Sequence, residues 1–268
     1  MGKLLVFINH DDMRSLELME ELMRRGYYVS DRLKDMKYAD VIYLGAKGMD
    51  RKNRLILEHE TIVVDEEIIK HLKENCLVFT LIHNEYLIEL SKEYHFQYIA
   101  LLDQENFVEK NSILTAEGLM SYLISHRRMP LYDSQVIVLG YGHCAKPIID
   151  DLIGLKANVK VAVRKRKYQK EIEKKNAQYI AIDQVDLSQC DILINTIPHV
   201  VIEKEQLDHI KKNLMIVDIA SYPYGIDHHY ALSKGINCQI LPSIPCKYAY
   251  GYAGKMIADE IERKLENA

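Results

Sequence analysis

The chain has 268 residues, 48% of them apolar and 28% charged, which is the balance of a globular protein and enough length for two domains. Its net charge of −4 excludes a general nucleic-acid binder, because the one basic cluster is local. No apolar run reaches the length of a membrane span, and the apolar stretch at the N-terminus is too short for a signal peptide, so a cytoplasmic protein with no membrane partner is expected. Five cysteines (Cys76, Cys144, Cys190, Cys238, Cys246) form an odd set without a CxxC pair, which fits reduced thiols and no zinc knuckle. The adjacent His228-His229 lacks the i, i+4 spacing of a helical metal pair, so no metal is inferred.

In chain order, Leu4-Leu-Val-Phe-Ile8 predicts a strand, Asn9 to Arg14 a polar loop, and Leu16, Leu18, Met19, Leu22 and Met23 an amphipathic helix stopping near Gly26. Short apolar runs at Tyr27–Val29, Val41–Leu44, Thr61–Val64, Leu77–Thr80 and Tyr98–Leu102 predict further strands, with a helix through Ile68, Ile69 and Leu72. Strands alternating with helices imply a parallel sheet, so residues 1–110 read as one α/β domain. Asn111-Ser-Ile-Leu-Thr115 reads as a polar break, with Thr115 or Ser112 capping a helix from Ala116 to about Arg127. Residues 111–132 are then a connecting helix and linker. Glu117 falls in the first turn of that helix, as a helix-end acid or as a group facing a cleft.

From Gln135 to Arg166 the pattern is strand, glycine turn, helix, strand. Gln135-Val-Ile-Val-Leu139 is a buried strand. Gly140-Tyr-Gly-His-Cys-Ala145 is the turn, and Ile148, Ile149, Leu152, Ile153 and Leu155 recur at helical spacing before Asn158–Val163. This is the opening βαβ unit of a dinucleotide-binding domain. Gly140 permits the sharp turn, Gly142 lets a pyrophosphate approach the backbone, and Ala145 is small enough for close helix–strand packing. The helix N-terminus, with His143 and Cys144 in its turn, directs N–H groups at the phosphates. Cys144 reads as a small packing residue; a helix N-terminus would otherwise lower its thiol pKa. Where NAD binders carry an acid, this chain has Arg164-Lys165-Arg166, which suits a 2′-phosphate and favours NADP over NAD. The alternative is a solvated basic face continuing through Lys167, Lys170, Lys174 and Lys175.

Later strands are expected at Gln178–Ile182, Ile192–Ile194, Leu214–Ala220 and Ile236–Leu241, completing a Rossmann domain over 133–250. Asn195-Thr-Ile-Pro198, Ser221 and Pro242 follow the last three of these strands, where nicotinamide and substrate would sit. A last helix from Gly254 to Leu265, within a C-terminal segment 251–268, is expected to pack at the domain junction. His143 and His199 stand at strand ends as possible proton carriers.

Several motifs together resemble the dipicolinate synthase A-chain family. Its N-S-x-P-T-x-E-G connection is matched by Asn111-Ser112, Thr115, Glu117 and Gly118, and its Ser-Gln-Val-x-Val-Leu-Gly entry by Ser134–Gly140. Its Leu-x-Ala-x-Val-Lys-Val segment appears as Leu155–Val161 and its N-T-I-P as Asn195–Pro198. Asp218-Ile-Ala-Ser221 resembles D-L-A-S, and Pro223, Gly225 and Asp227 fit the P-G-G-x-D that follows. Pro242–Pro245 resembles the late P-G-L-P-G, and Asp12-Met-Arg14 the early D-x-R. The resemblance spans almost the whole chain. The chain departs from the family pattern at His143 (an arginine there), at Ser243 and Cys246 (glycines there), and in Ala249–Gly254; Tyr222 and Tyr224 add bulk beside Ser221.

The resemblance implies a flavodoxin-like α/β domain followed by a Rossmann NAD(P)-binding domain, joined by long helices. It implies an NADP-dependent step forming dipicolinate from hydroxytetrahydrodipicolinate in sporulation. The partner it implies is a flavoprotein-like second subunit, and a homo-oligomer is expected. Arg14 and Lys247 are then the cations for a small dicarboxylate, and Asn111, Ser112 and Thr115 orient it. Asn195 and Thr196 hold the nicotinamide ribose, with Pro198 in the same turn, while Ser221 and Pro242 wall the ring. Glu117, Lys247 and His143 are the catalytic candidates. The alternatives are a non-catalytic NADP-binding subunit or sensor, and a dehydrogenase for another hydroxy or amino dicarboxylate.

Overall fold

The computed structural model describes residues 4–9, 12–56, 61–249 and 251–267. His10, Asp11 and Tyr250 of the segments discussed above lie outside the described residues. The chain folds as two compact units, one of residues 1–110 and 249–268, the other Asn111–Tyr248.

Unit 1 is built on the strands β1 (Leu5–Ile8), β2 (Tyr28–Ser30) and β3 (Val41–Tyr43), with the helix α1 (Met13–Arg24) after β1. Asp12 caps α1 by accepting from the Arg14 N–H at 2.9 Å. The short strands β4 (Arg54–Ile56) and β5 (Thr61–Val63), helix α2 (Glu66–Lys70), β6 (Leu77–Thr80), α3 (Glu85–Tyr94) and β7 (Gln97–Ala100) follow. The main sheet runs β2-β1-β3-β6-β7 with every pair parallel. That is the flavodoxin-like order, second strand outside the first. The expected strand at Thr61–Val64 does not join it. It pairs antiparallel with β4, which the sequence pattern did not predict. Leu55 of β4 is buried in the core of the unit, but Val63 of β5 is 64% exposed, so the ribbon is not covered on both faces as a strand inside a parallel sheet is.

The helix α4 (Glu105–His126) crosses from unit 1 into unit 2 as one element of 22 residues. This corrects the polar break expected at Asn111–Thr115, and the capping role expected of Ser112 or Thr115. The Thr115 hydroxyl donates to the Asn111 carbonyl one turn back, 2.7 Å away, and Ser112 and Thr115 are buried, so polar residues here sit inside the helix. Glu117 is accordingly exposed in mid-helix and not in a first turn.

Unit 2 continues with β8 (Gln135–Leu139), α5 (Ala145–Gly154), β9 (Asn158–Val163), α6 (Gln169–Lys174), β10 (Gln178–Ala181), β11 (Ile192–Asn195), α7 (Lys204–Leu207), β12 (Met215–Asp218), α8 (His228–Ser233), β13 (Cys238–Ile240) and α9 (Ile244–Tyr248). Its six strands are all parallel in the order β10-β9-β8-β11-β12-β13, the Rossmann order with its switch point between β8 and β11. One face of the sheet packs Val136, Val138, Val161, Ile194 and Val217 against α4 and α5; the other packs Ile137, Leu139, Leu193 and Ile216 under Ile202, Leu207 and Ala231. The run of apolar residues along the central strands β8, β11 and β12 follows from burial on both faces.

The C-terminal helix (Ala253–Leu265) returns to unit 1 and packs on α1. The Gly254 N–H at its start donates to the buried Glu17 carboxylate at 2.9 Å, so an anion sits at the helix's positive end. Arg25 donates to Glu21 at 2.8 Å and to Asp259 and Glu262, each at 2.5 Å. No helix among the described residues is long and apolar enough to cross a membrane.

Candidate functional site

The carboxyl ends of β8, β9, β11, β12 and β13 form a crest on unit 2. At the switch point, Gly140 leaves β8 with φ +100, and a Cβ there would strike the Thr196 hydroxyl. Gly142, next in the turn, has no atom within 4 Å of the place a Cβ would take, so the backbone there is open to a ligand. The Lys146 N–H closes the first helical hydrogen bond onto the Gly142 carbonyl at 3.2 Å; the amides before it have no intrahelical acceptor. His143 is exposed beside them. Cys144 is partly buried against the apolar core, and burial pushes its thiol pKa up, as suits a packing residue.

At the end of β9, Arg164 and Lys165 are exposed, and neither has a carboxylate partner among the described residues. Arg166 donates from Nε to its neighbour Gln169, at 3.2 Å. Tyr141 and Tyr168 pack with ring centroids 5.5 Å apart, with the Lys146 ammonium 5.1 Å over the Tyr141 ring. The open glycine and the amide-lined turn fit the pyrophosphate of a dinucleotide.

On the other side of the switch point the expected ribose contact is corrected. Asn195 is fully buried, and its amide donates to Asp218 at 2.7 Å and to the Ile197 carbonyl at 3.0 Å, while accepting from the Ile197 N–H at 3.0 Å. It shapes the turn from inside and does not face the crest. Thr196 is half-buried, and its hydroxyl donates to the Leu139 carbonyl at 2.7 Å, tying β11 to β8. Pro198, Ser221 and Pro242 are exposed at the crest.

Asp218, which in the sequence carries no role beyond opening the D-L-A-S-like motif, organises this side of the crest. Fully buried, it accepts from Asn195, from the Ala220 N–H at 3.1 Å, from the Gly225 N–H at 2.9 Å and from His228 Nε2 at 3.0 Å. These bonds fold the segment carrying Ser221 back onto the sheet. Gly225 has no room for a Cβ because Asn195 lies against it. With Nε2 donating to Asp218, His228 Nδ1 is left to accept from the Cys238 thiol, 3.3 Å away. The hints in sequence were an acid ending an apolar strand and its place at the head of the D-L-A-S-like motif.

Residues 122–240 match the family model of the shikimate/quinate 5-dehydrogenases. The dipicolinate synthase A chain of Bacillus subtilis (strain 168) is 28% identical over 212 residues, 78% of this chain and 71% of that protein. The crystal structure of the dipicolinate synthase A chain from Bacillus halodurans superposes with a TM-score of 0.85 at 27% identity, covering 99% of this chain and 98% of that one. The chain is a divergent homologue of these dipicolinate synthase proteins. The crystal structure of the Bacillus subtilis protein has the same fold, with a TM-score of 0.86 at 24% identity over 100% of this chain and 97% of that one. The segment matched to the dehydrogenases is the Rossmann unit, so this is an oxidoreductase-type domain whose cofactor class is a nicotinamide dinucleotide.

The departures from the family motifs acquire a physical meaning. Tyr224 and Ser243 replace motif glycines, yet both keep positive φ, at +69 and +56. The loop shape is retained although a side chain there costs about 1 kcal/mol. Tyr224 packs edge-on against His228 at 5.5 Å and Tyr222 at 5.8 Å. Gly118 of the connection motif is where α9 meets α4, since a Cβ would strike Ile244 and Tyr248. Lys247 is exposed on α9. Burial, then the charge of Glu117, raises the Asp151 carboxyl pKa. Arg14, in unit 1, is buried and donates from Nε to Asp12 at 2.8 Å. Asn111 is half-buried on α4. No group of three potential metal-ligating side chains occurs among the described residues.

Proposed function

We propose that this chain is an NADP-dependent oxidoreductase of a small cyclic dicarboxylate, forming dipicolinate from hydroxytetrahydrodipicolinate in sporulation together with a flavoprotein-like second subunit. The observation that carries the cofactor reading is the turn open at Gly142, with Arg164 and Lys165 unpaired at the neighbouring strand end. The substrate reading is supported by the relative's identity as part of a dipicolinate synthase. We place the protein in the cytoplasm, in keeping with its free cysteines, and expect a homo-oligomer.

Converting this substrate to the aromatic product removes one water and two hydrogens, the latter as a hydride and a proton. When bound, the nicotinamide dinucleotide supplies the hydride acceptor. The Gly142 turn and the N-terminus of α5 hold the pyrophosphate, and Arg164 and Lys165 hold the 2′-phosphate. The buried Asn195–Asp218 pair fixes the crest so that Ser221 and Pro242 wall the ring. Lys247 is the proposed carboxylate-binding cation of unit 2, Arg14 that of unit 1, and Asn111, Ser112 and Thr115 remain the proposed orienting residues. Glu117 and His143 are the proposed proton-handling groups.

The test is turnover of the purified chain with NADP⁺ and hydroxytetrahydrodipicolinate, with and without the flavoprotein-like partner. NADPH and dipicolinate should appear in equal amounts. A second reading, a non-catalytic NADP-binding protein, is favoured by Tyr224 and Ser243, which put side chains on left-handed backbone in the ligand-side loops. Tight NADP binding with no product in either arm selects that second reading.

A further inference from the structure

Two motif segments that the cofactor site does not use, Ser134-Gln135 and Val159-Lys160-Val161, converge elsewhere on unit 2. Gln135 opens β8. Lys160 lies in β9 between Ile137 of β8 and Gln178 of β10. A lysine in an interior strand of a parallel sheet is unusual, because both faces are normally covered by apolar packing. Here Lys160 lies on the same face as Ile137 and Ala162, and it lines a cleft of about 110 Å³. Gln135, Ile180, Gln184, Asp186, Gln189 and Cys190 are among its other walls. The cleft lies toward the amino ends of β8 and β11, away from the Gly140 turn at the carboxyl end of β8, under the chain segment that links β10 to β11.

The charges in this cleft are matched but not joined. Among the described residues Lys160 has no carboxylate within ion-pair reach, although its charge is felt by Asp186. The Asp186 carboxylate accepts from the Ser188 N–H at 2.9 Å, and that bond, first among the causes, lowers its pKa and keeps it ionised. Gln135, Gln184 and Gln189 line the same cleft and bring primary amides, which both donate and accept. The Cys190 thiol adds no charge, since burial pushes its pKa up to about 12 and it donates to the Ile192 carbonyl at 3.0 Å. A simple anion would meet Lys160 but press a like charge toward Asp186, and a simple cation would do the reverse. A ligand that brings both charges, a carboxylate and an ammonium a few ångströms apart, satisfies both walls.

The geometry points to a second ligand site on unit 2, formed by Lys160, Asp186 and the amides of Gln135, Gln184 and Gln189, that takes a small zwitterion of the α-amino-acid class. Its carboxylate pairs with Lys160 and its ammonium with Asp186.

The test is titration calorimetry of the full chain with L-alanine, and separately with acetate and with ethylamine, each repeated with NADP⁺ present. L-Alanine should bind at least about tenfold more tightly than either half-ligand, with or without NADP⁺. Lys160→Met and Asp186→Asn should each weaken L-alanine by about tenfold or more, while leaving NADP⁺ affinity as in the parent chain. Asp186 is exposed, so its variant is not expected to disturb folding even if the strand variant does. L-Alanine binding no tighter than acetate, or unchanged in Asp186→Asn, overturns the proposal.

Discussion

Gly140 and Gly142 stand in one turn but are glycine for different reasons. At Gly140 the backbone is left-handed and Thr196 occupies the space beside it, so the requirement lies in the fold itself. At Gly142 the protein leaves the space open, so the requirement lies in what approaches from outside. Substitution separates the two. Gly140→Ala should lower stability by about 2 kcal/mol, read from the denaturant midpoint. Gly142→Val should change stability by no more than about 0.5 kcal/mol but weaken NADP⁺ at least about tenfold. The glycines themselves were legible in the sequence. The role of Asn195 was not, because a polar residue after a strand reads as a ligand contact. What decides otherwise is Asp218, 23 positions later in the chain, which takes its amide.

Helices and strands were legible where one pattern dominated. The central strands β1, β3, β6, β8, β11 and β12 are nearly continuous apolar runs, since both faces are buried, and these emerged close to their observed bounds. The β4–β5 ribbon was half missed because each strand has only three residues, too few for an alternating pattern to stand out. The start of α4 was misplaced because Asn111, Ser112 and Thr115 look like a cap, whereas the Thr115 hydroxyl bonds back to its own helix. The pairing of α1 with the C-terminal helix depends on charges far apart in sequence. Arg24, then Arg25, hold the Glu21 carboxyl down to about 2 from an ordinary 4.5. A depressed pKa contributes stability above the unfolded value and loses it as pH falls through the folded one. Glu21→Gln should therefore cost about 1–2 kcal/mol at neutral pH, allowing for the exposure of Arg24. That deficit, measured by chemical denaturation, should shrink as pH falls from about 4.5 toward about 2.

At the scale of the whole molecule, the chain combines a flavodoxin-like sheet and a Rossmann sheet, and the open backbone and unpaired cations of the crest belong to the second. The fold class was fully legible because two independent runs of alternating strands and helices carry it. The second reading of the basic run, a solvated surface, differs from the first in one respect only: whether Arg164 and Lys165 meet a phosphate. Titration of NADP⁺ and NAD⁺ into the parent chain and into Arg164→Gln/Lys165→Gln measures this directly. The account predicts that NADP⁺ binds at least about tenfold more tightly than NAD⁺, and that the double variant removes the difference while leaving NAD⁺ unchanged. Equal affinities in the parent chain, or no binding of either dinucleotide, would contradict it.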